Sequence, residues 1–178
     1  MPESVYIGHE VVKMNVWSYE KKEHIGIIKM NEVCCEDAVF IKELKEAIQT
    51  AAEDEDIYVL LLVADRWQNV RVNSENISVP VLAASKENLP EDIPGFDIVI
   101  VSDQPEEDGL KMAGQIAANA PIAVQQIKRC VNLGLKSDPE AGRAYELQAF
   151  ALCHSTQDKQ IGMKALLNNE NEKVFLRK

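Results

Sequence analysis

Histidine, cysteine and glycine positions decide what chemistry this chain can attempt. The three histidines are His9, His24 and His154, and none has a second histidine three or four residues away. That spacing would put two ring nitrogens on one helix face for a metal, and no serine, cysteine or acid stands beside them in a nucleophile–base motif. They read as surface or helix-end residues. The cysteines are Cys34, Cys35, Cys130 and Cys153. Adjacent Cys34-Cys35 fits no zinc spacing and the other two are isolated, so no metal site is expected. All four read as reduced, packed thiols in a reducing, cytoplasmic compartment.

Backbone-built sites need glycine, because only a residue without a Cβ lets successive N–H groups close on a phosphate or an oxyanion. The glycines stand at 8, 26, 95, 109, 114, 134, 142 and 162, and none lies between Ile27 and Pro94. That gap contains the ends of two of the three expected buried strands, where open α/β proteins place ligands. Gly109 and Gly114 fall inside a helical pattern, without the preceding strand and third glycine of a dinucleotide fingerprint. The acidic runs Glu53–Asp56 and Glu106–Asp108 sit at element boundaries, where solubility and helix capping account for them better than acid–base catalysis. Trp67, in a polar loop, is the exposed-looking aromatic worth watching as a binding residue, although packing onto the domain or another subunit explains it better.

The elements that must position these residues follow from periodicity. Val12, Met14 and Val16 alternate with Lys13 and Asn15, which predicts a strand over Val11–Glu20. A turn over Glu20–His24 and a returning strand over Ile25–Met30 complete an N-terminal β-hairpin. Phe40, Ile41, Leu44, Ala47, Ile48 and Ala51 share one helical face. Ile57–Val63 is an unbroken apolar run, suited to a strand covered on both faces of a parallel sheet. Further strands are predicted over Val79–Ala84 and Ile98–Val101, with loops over Arg66–Ser78 and Ser85–Pro94. Helices follow over Pro105–Asn119, Pro121–Leu133 with Gly134 as C-cap, Pro139–His154, and Gln157–Leu167 with Ser155 and Thr156 as candidate N-caps.

The 178 residues suit one structural domain, read as an α/β core over 1–104 and a C-terminal helical oligomerisation region over 105–178. Hydrophobic residues at 46% and charged residues at 27% exclude wholesale disorder. No apolar run approaches the roughly 18 residues of a membrane span, and Met1-Pro2-Glu3-Ser4 does not open a secretory signal, so neither membrane nor export is expected. The net charge of -10 argues against nucleic acid, which needs clustered Lys and Arg.

Ile25–Asn31, the helix around Phe40–Ala51, Asp54–Leu62, Val79–Ala84, Ala117–Val124 with Lys128, and Thr156–Leu167, taken in this order, resemble the crotonase (enoyl-CoA hydratase/isomerase) superfamily. Ile25-Gly26-Ile27-Ile28-Lys29-Met30-Asn31, the helix around Phe40–Ala51, and Asp54–Leu62 are similar to that family's opening. Val79-Pro80-Val81-Leu82-Ala83-Ala84 is similar to the strand before its second oxyanion loop. Ala117–Val124 with Lys128 resembles its paired late helices, and Thr156–Leu167 its closing helix. The resemblance implies a shortened crotonase-like (ClpP/crotonase) α/β fold, with an N-terminal β-hairpin, a small mostly parallel sheet with helices, and a C-terminal helical region.

The departures from the family carry as much information. The family builds an oxyanion hole from two backbone N–H groups in glycine loops after the strands that here end at Ala64 and Ala84. This chain has Asp65-Arg66-Trp67-Gln68-Asn69 and Ser85-Lys86-Glu87-Asn88-Leu89-Pro90 at those places, and the segment bearing the family's catalytic glutamates is shortened away. Phe96–Ser102 matches either the strand just beyond the glycine loop or the one before the late helices, and under both alignments no residue inherits a catalytic role. Lys173, Arg177 and Lys178 are the positions that could keep contact with coenzyme A phosphates, against the plainer reading of a solvated basic tail. The resemblance further implies a homo-oligomer, a trimer or a dimer of trimers (hexamer), because the late helices that join family members are retained. Three functions follow: a binding or assembly subunit with a degenerate site, an active acyl-CoA hydratase/isomerase with a remodelled oxyanion hole, and a non-enzymatic regulatory module.

Overall fold

The computed structural model describes residues 12–13, 17–30, 38–67, 72–89, 95–170 and 173–178. His9, Cys34, Cys35, the N-terminal four residues and the 68–69 and 90 loop positions lie outside them. The chain divides into two compact units, Met1–Gly114 and Gln115–Lys178.

The first unit is built on one six-stranded sheet in the order β1-β2-β3-β4-β5-β6. Its strands are β1 (Val12–Lys13), β2 (Trp17–Lys22), β3 (Ile25–Met30), β4 (Val59–Ala64), β5 (Val81–Ser85) and β6 (Ile98–Val101). β1 and β2 pair antiparallel, as do β2 and β3, whereas β3 to β6 are parallel neighbours. The fold is therefore α/β with a mostly parallel sheet, as the sequence predicts.

The expected single strand over Val11–Glu20 is instead two paired strands. The sequence explains it: the apolar parity runs through 12, 14 and 16 and then changes to Trp17 and Tyr19, so one continuous strand would turn half its apolar residues outward. The expected turn over Glu20–His24 also shrinks, to Glu23-His24, because Lys21 and Lys22 pair with Gly26 and Ile25. Lys21 is held there by Asp54 at 2.8 Å and Asp56 at 3.3 Å, which gives the first acidic run a tethering role beyond solubility.

Every residue of β4 is buried, and Leu60, Leu61 and Leu62 are wholly so. Each such leucine contributes about 2 kcal/mol by leaving water. Alternate residues face opposite layers. On one side Ile28, Met30, Leu60, Leu62 and Ala83 join a core with Phe40, Leu44 and Ile48 of α1 (Ala38–Glu53). On the other side Leu61 and Ala84 meet α2 (Pro105–Ala117) at Gly109, where an added Cβ would lie 2.9 Å from Leu61 Cδ1 and 3.1 Å from Ala84 Cβ. Trp67 is 3% exposed and meets Phe96 edge to face at 5.0 Å, so it packs onto its own domain.

The second unit contains α3 (Pro121–Gly134), α4 (Pro139–His154) and α5 (Gln157–Asn168). Gly134 is not the expected left-handed C-cap. It is the last residue of α3, and Leu135 continues in right-handed conformation with its N–H on the Val131 carbonyl. The turn closes when Lys136 and Ser137 N–H groups both reach the Leu133 carbonyl, so no positive φ is needed. Asp138 caps α4 by accepting from Glu140 and Ala141 N–H, and Thr156 caps α5 by accepting from Lys159 N–H. Ser155, the other candidate cap, turns its hydroxyl back to the Leu152 carbonyl.

Candidate functional site

Parallel strands end on one edge of a sheet, and here β4, β5 and β6 stop at Ala64, Ser85 and Val101. The ladder continues into the loops beyond. Lys86 N–H donates to the Asp65 carbonyl at 3.2 Å, and Ser102 N–H to the Ser85 carbonyl at 3.0 Å. Two ion pairs cross between the first two loops: Lys86 Nζ to Asp65 at 2.9 Å, and Arg66 to Glu87 at 2.9 Å. The fully buried Ser85 hydroxyl donates to the Glu87 carbonyl and fixes the second loop from within.

Over these loops α2 begins. Asp108 accepts from the Ser102 hydroxyl, which in turn accepts from Gln104 N–H, an arrangement that organises the first turn. A cleft of about 450 Å³ opens between the strand ends and this turn. Val63, Pro105 and Leu110 form its apolar part, and Asp65, Lys86, Gln104, Glu106 and Glu107 its polar part. Glu106 also reaches Lys29 of β3 at 2.6 Å, with Glu20 farther off at 3.7 Å. The Glu106 carboxylate holds the Lys29 ammonium above its ordinary pKa. Of the three carboxylates that line the cleft, Asp65 is paired with Lys86 and Glu106 with Lys29.

Chemically, the cleft offers an apolar wall and three acids, two of which, Asp65 and Glu106, protein cations already engage. The Lys86 N–H, in the loop where the resemblance puts the second oxyanion donor, is spent on the Asp65 carbonyl. The sequence located both loops, but the pairs that tie them together join residues far apart in the chain.

The remaining candidates lie elsewhere. His24 stacks on Tyr58 with ring centroids 4.1 Å apart and its Nδ1 bonds the Asp56 carbonyl, at the opposite end of the strands. His154 packs against Phe150 one turn back on α4. Burial, followed by the neighbouring Cys130, pushes the Cys153 thiol up, the opposite of an activated thiolate. Among the described residues no group of three or more His, Cys, Asp or Glu could hold a metal, and no helix is long and apolar enough to cross a membrane.

Lys173, Arg177 and Lys178 belong to the second unit, in a hook folded onto α5. Buried Asp158 accepts from Leu176 N–H at 2.6 Å and Arg177 N–H at 3.0 Å, while Gln157 N–H donates to the Lys178 carbonyl at 2.6 Å. Lys173 lies over the Phe175 ring at 5.5 Å. The three cations thus stand on a pinned segment, and Arg177 takes a left-handed φ of 57°.

Comparison with known proteins places this architecture. No family profile matches the chain. A short-chain-enoyl-CoA hydratase of Clostridium acetobutylicum is 34% identical over 65 residues, 36% of this chain and 25% of that protein. A crotonyl-CoA hydratase of Syntrophomonas wolfei is 39% identical over 67 residues, 36% of this chain and 26% of that protein. The chain thus spans about a quarter of the length of these curated relatives. Among solved structures, an enoyl-CoA hydratase from Bacillus anthracis superposes with a TM-score of 0.73 at 15% identity, covering 91% of this chain and 99% of that one. An enoyl-CoA hydratase/isomerase from Mycobacterium paratuberculosis does so with 0.76 at 12% identity, covering 93% and 99%. At such identities the structures speak for the fold, and the curated relatives add sequence kinship over about a third of the chain. With the sheet order and helices above, the chain has the crotonase fold and, over about a third of its length, sequence similarity to enoyl-CoA hydratases.

Proposed function

We propose that this chain is a crotonase-type subunit that no longer hydrates enoyl thioesters and serves acyl-CoA metabolism as a binding or assembly subunit in the cytoplasm. The observation that carries the proposal is the bond between Lys86 N–H and the Asp65 carbonyl. Hydration and isomerisation pass through an enolate-like thioester oxygen, which preorganised N–H donors stabilise by several kcal/mol. A donor already satisfied by protein supplies none of that. In this reading Lys173, Arg177 and Lys178, on the hook of the second unit, are the cations offered to the phosphates of coenzyme A.

Assembly into a homo-oligomer is supported by apolar side chains left open on α3, α4 and α5, including Ile127, Leu147, Phe150 and Leu166. A remodelled but active hydratase/isomerase is the second reading, and the cleft at the strand ends is what favours it. Calorimetric titration with coenzyme A and crotonyl-CoA, followed by a hydration assay, separates the two. Binding without turnover is the expected result. Turnover above background means that the cleft catalyses and the first reading is wrong.

A further inference from the structure

The parallel register of β4 and β5 pairs Leu60 with Val81 and Val63 with Ala84. Continued past the strand ends, the same offset sets Asp65 opposite Lys86 and Arg66 opposite Glu87. Those are the two ion pairs observed. An acid-then-base sequence on one loop therefore faces a base-then-acid sequence on the other. Of the two pairs, Asp65 with Lys86 is the one on the cleft wall.

We infer that these two pairs form an electrostatic latch that keeps the Lys86 N–H on the Asp65 carbonyl and, when released, offers that N–H and the Lys86 ammonium to a carbonyl oxygen of an acyl thioester in the cleft. The inference rests on the proposal that this chain binds acyl-CoA; it takes the cleft as the place of the thioester and adds the device that closes it. Both pairs are more than half exposed on at least one partner. Salt screens pairs of this kind, and each shifts an equilibrium by only a few-fold, so the latch is weak enough to be released.

The test compares the full wild-type chain with D65N/E87Q, which removes both acids while keeping side-chain size. The Lys86 amide should exchange with deuterium about fivefold faster in the variant, the combined effect expected of two exposed pairs. Affinity for butyryl-CoA, a saturated thioester that cannot be hydrated, should rise by a similar factor. E43Q/E46Q on α1 makes the same charge change and should alter neither quantity. R66E/E87R, which re-forms one pair with reversed polarity, should keep the wild-type exchange rate. Unchanged Lys86 exchange in D65N/E87Q overturns the latch, as does faster exchange without tighter butyryl-CoA binding, or an equal gain in E43Q/E46Q. Hydration of crotonyl-CoA by the wild type would instead remove the non-catalytic reading, a result separable from all of these.

Discussion

Gly95 has a φ of 122°, and a Cβ there would lie 1.4 Å from the Val72 carbonyl oxygen. Its own carbonyl accepts from Ser74 N–H at 3.0 Å, so the backbone cannot move away cheaply. Gly114, inside α2, has no described atom within 4 Å of the same construction. One substitution should therefore have opposite signs at the two sites. G95A should lose about 3 kcal/mol or more, from a conformation closed to L side chains plus the clash. G114A should gain about 0.5–1 kcal/mol, because alanine is the better helix former. Urea midpoints of the two variants check both. Asp158 makes a different residue-scale case: it is 1% exposed and accepts two backbone N–H groups of the hook. D158A should cost about 1–3 kcal/mol for the acceptor lost and speed amide exchange at Leu176 and Arg177, whereas D158N, which keeps one carbonyl oxygen, should be milder. Unaltered exchange at those two amides would show that the hook is held by something other than Asp158.

Elements were legible where their signals are local. The apolar run before Ala64, the helical face of Phe40–Ala51 and the Thr156 cap each depend on residues within a few positions, and each reappears in the structure. The start of α4 at Pro139 was legible too, whereas its N-cap, Asp138, came only with the structure. The candidate site was legible only as two loops without glycine. Its cleft, its crossed ion pairs and its bonded Lys86 N–H depend on the register of β4 against β5, which no local pattern encodes. The pair joining β3 to α2 is of this hidden kind and has a pH signature. Glu106 raises the Lys29 pKa above the ordinary 10.5, so the folded state holds this proton more tightly than the unfolded chain does. The stabilisation is complete below 10.5 and is lost as pH rises through the higher folded value. Buried Tyr19, also raised, acts in the same direction and is common to wild type and variant. Wild type should therefore lose more unfolding free energy than E106Q across an alkaline series of urea titrations, and parallel curves would mean that the Lys29–Glu106 pair contributes nothing.

At the scale of the whole molecule the two units differ in how much apolar surface they leave open. Among the described residues, four large hydrophobics with substantial exposure lie in Met1–Gly114: Val39, Val99, Val101 and Met112. Twelve lie in Gln115–Lys178, including Val131, Leu135, Leu152, Met163 and Leu167. α4 shows the consequence most clearly, since Ala149 is its single buried residue while Leu147 and Phe150 are 66% and 62% exposed. A helix owes most of its stability to the face it packs, and α4 packs little of itself within one chain. Apolar side chains left open in such number mark an interaction site, and a second copy offers the same apolar helices in return. Sedimentation velocity at micromolar concentration should therefore find an assembly with no substantial monomer, and the resemblance to the crotonase family implies that it is a trimer or a dimer of trimers. L147E/F150E places two carboxylates in that surface and should drive the assembly toward monomer. Because both side chains are exposed within one chain, the helical circular dichroism of the variant should fall through loss of assembly rather than loss of an internal core, and should recover at protein concentrations that restore association. A wild-type monomer at micromolar concentration would refute the assembly role and leave the apolar face for a different partner.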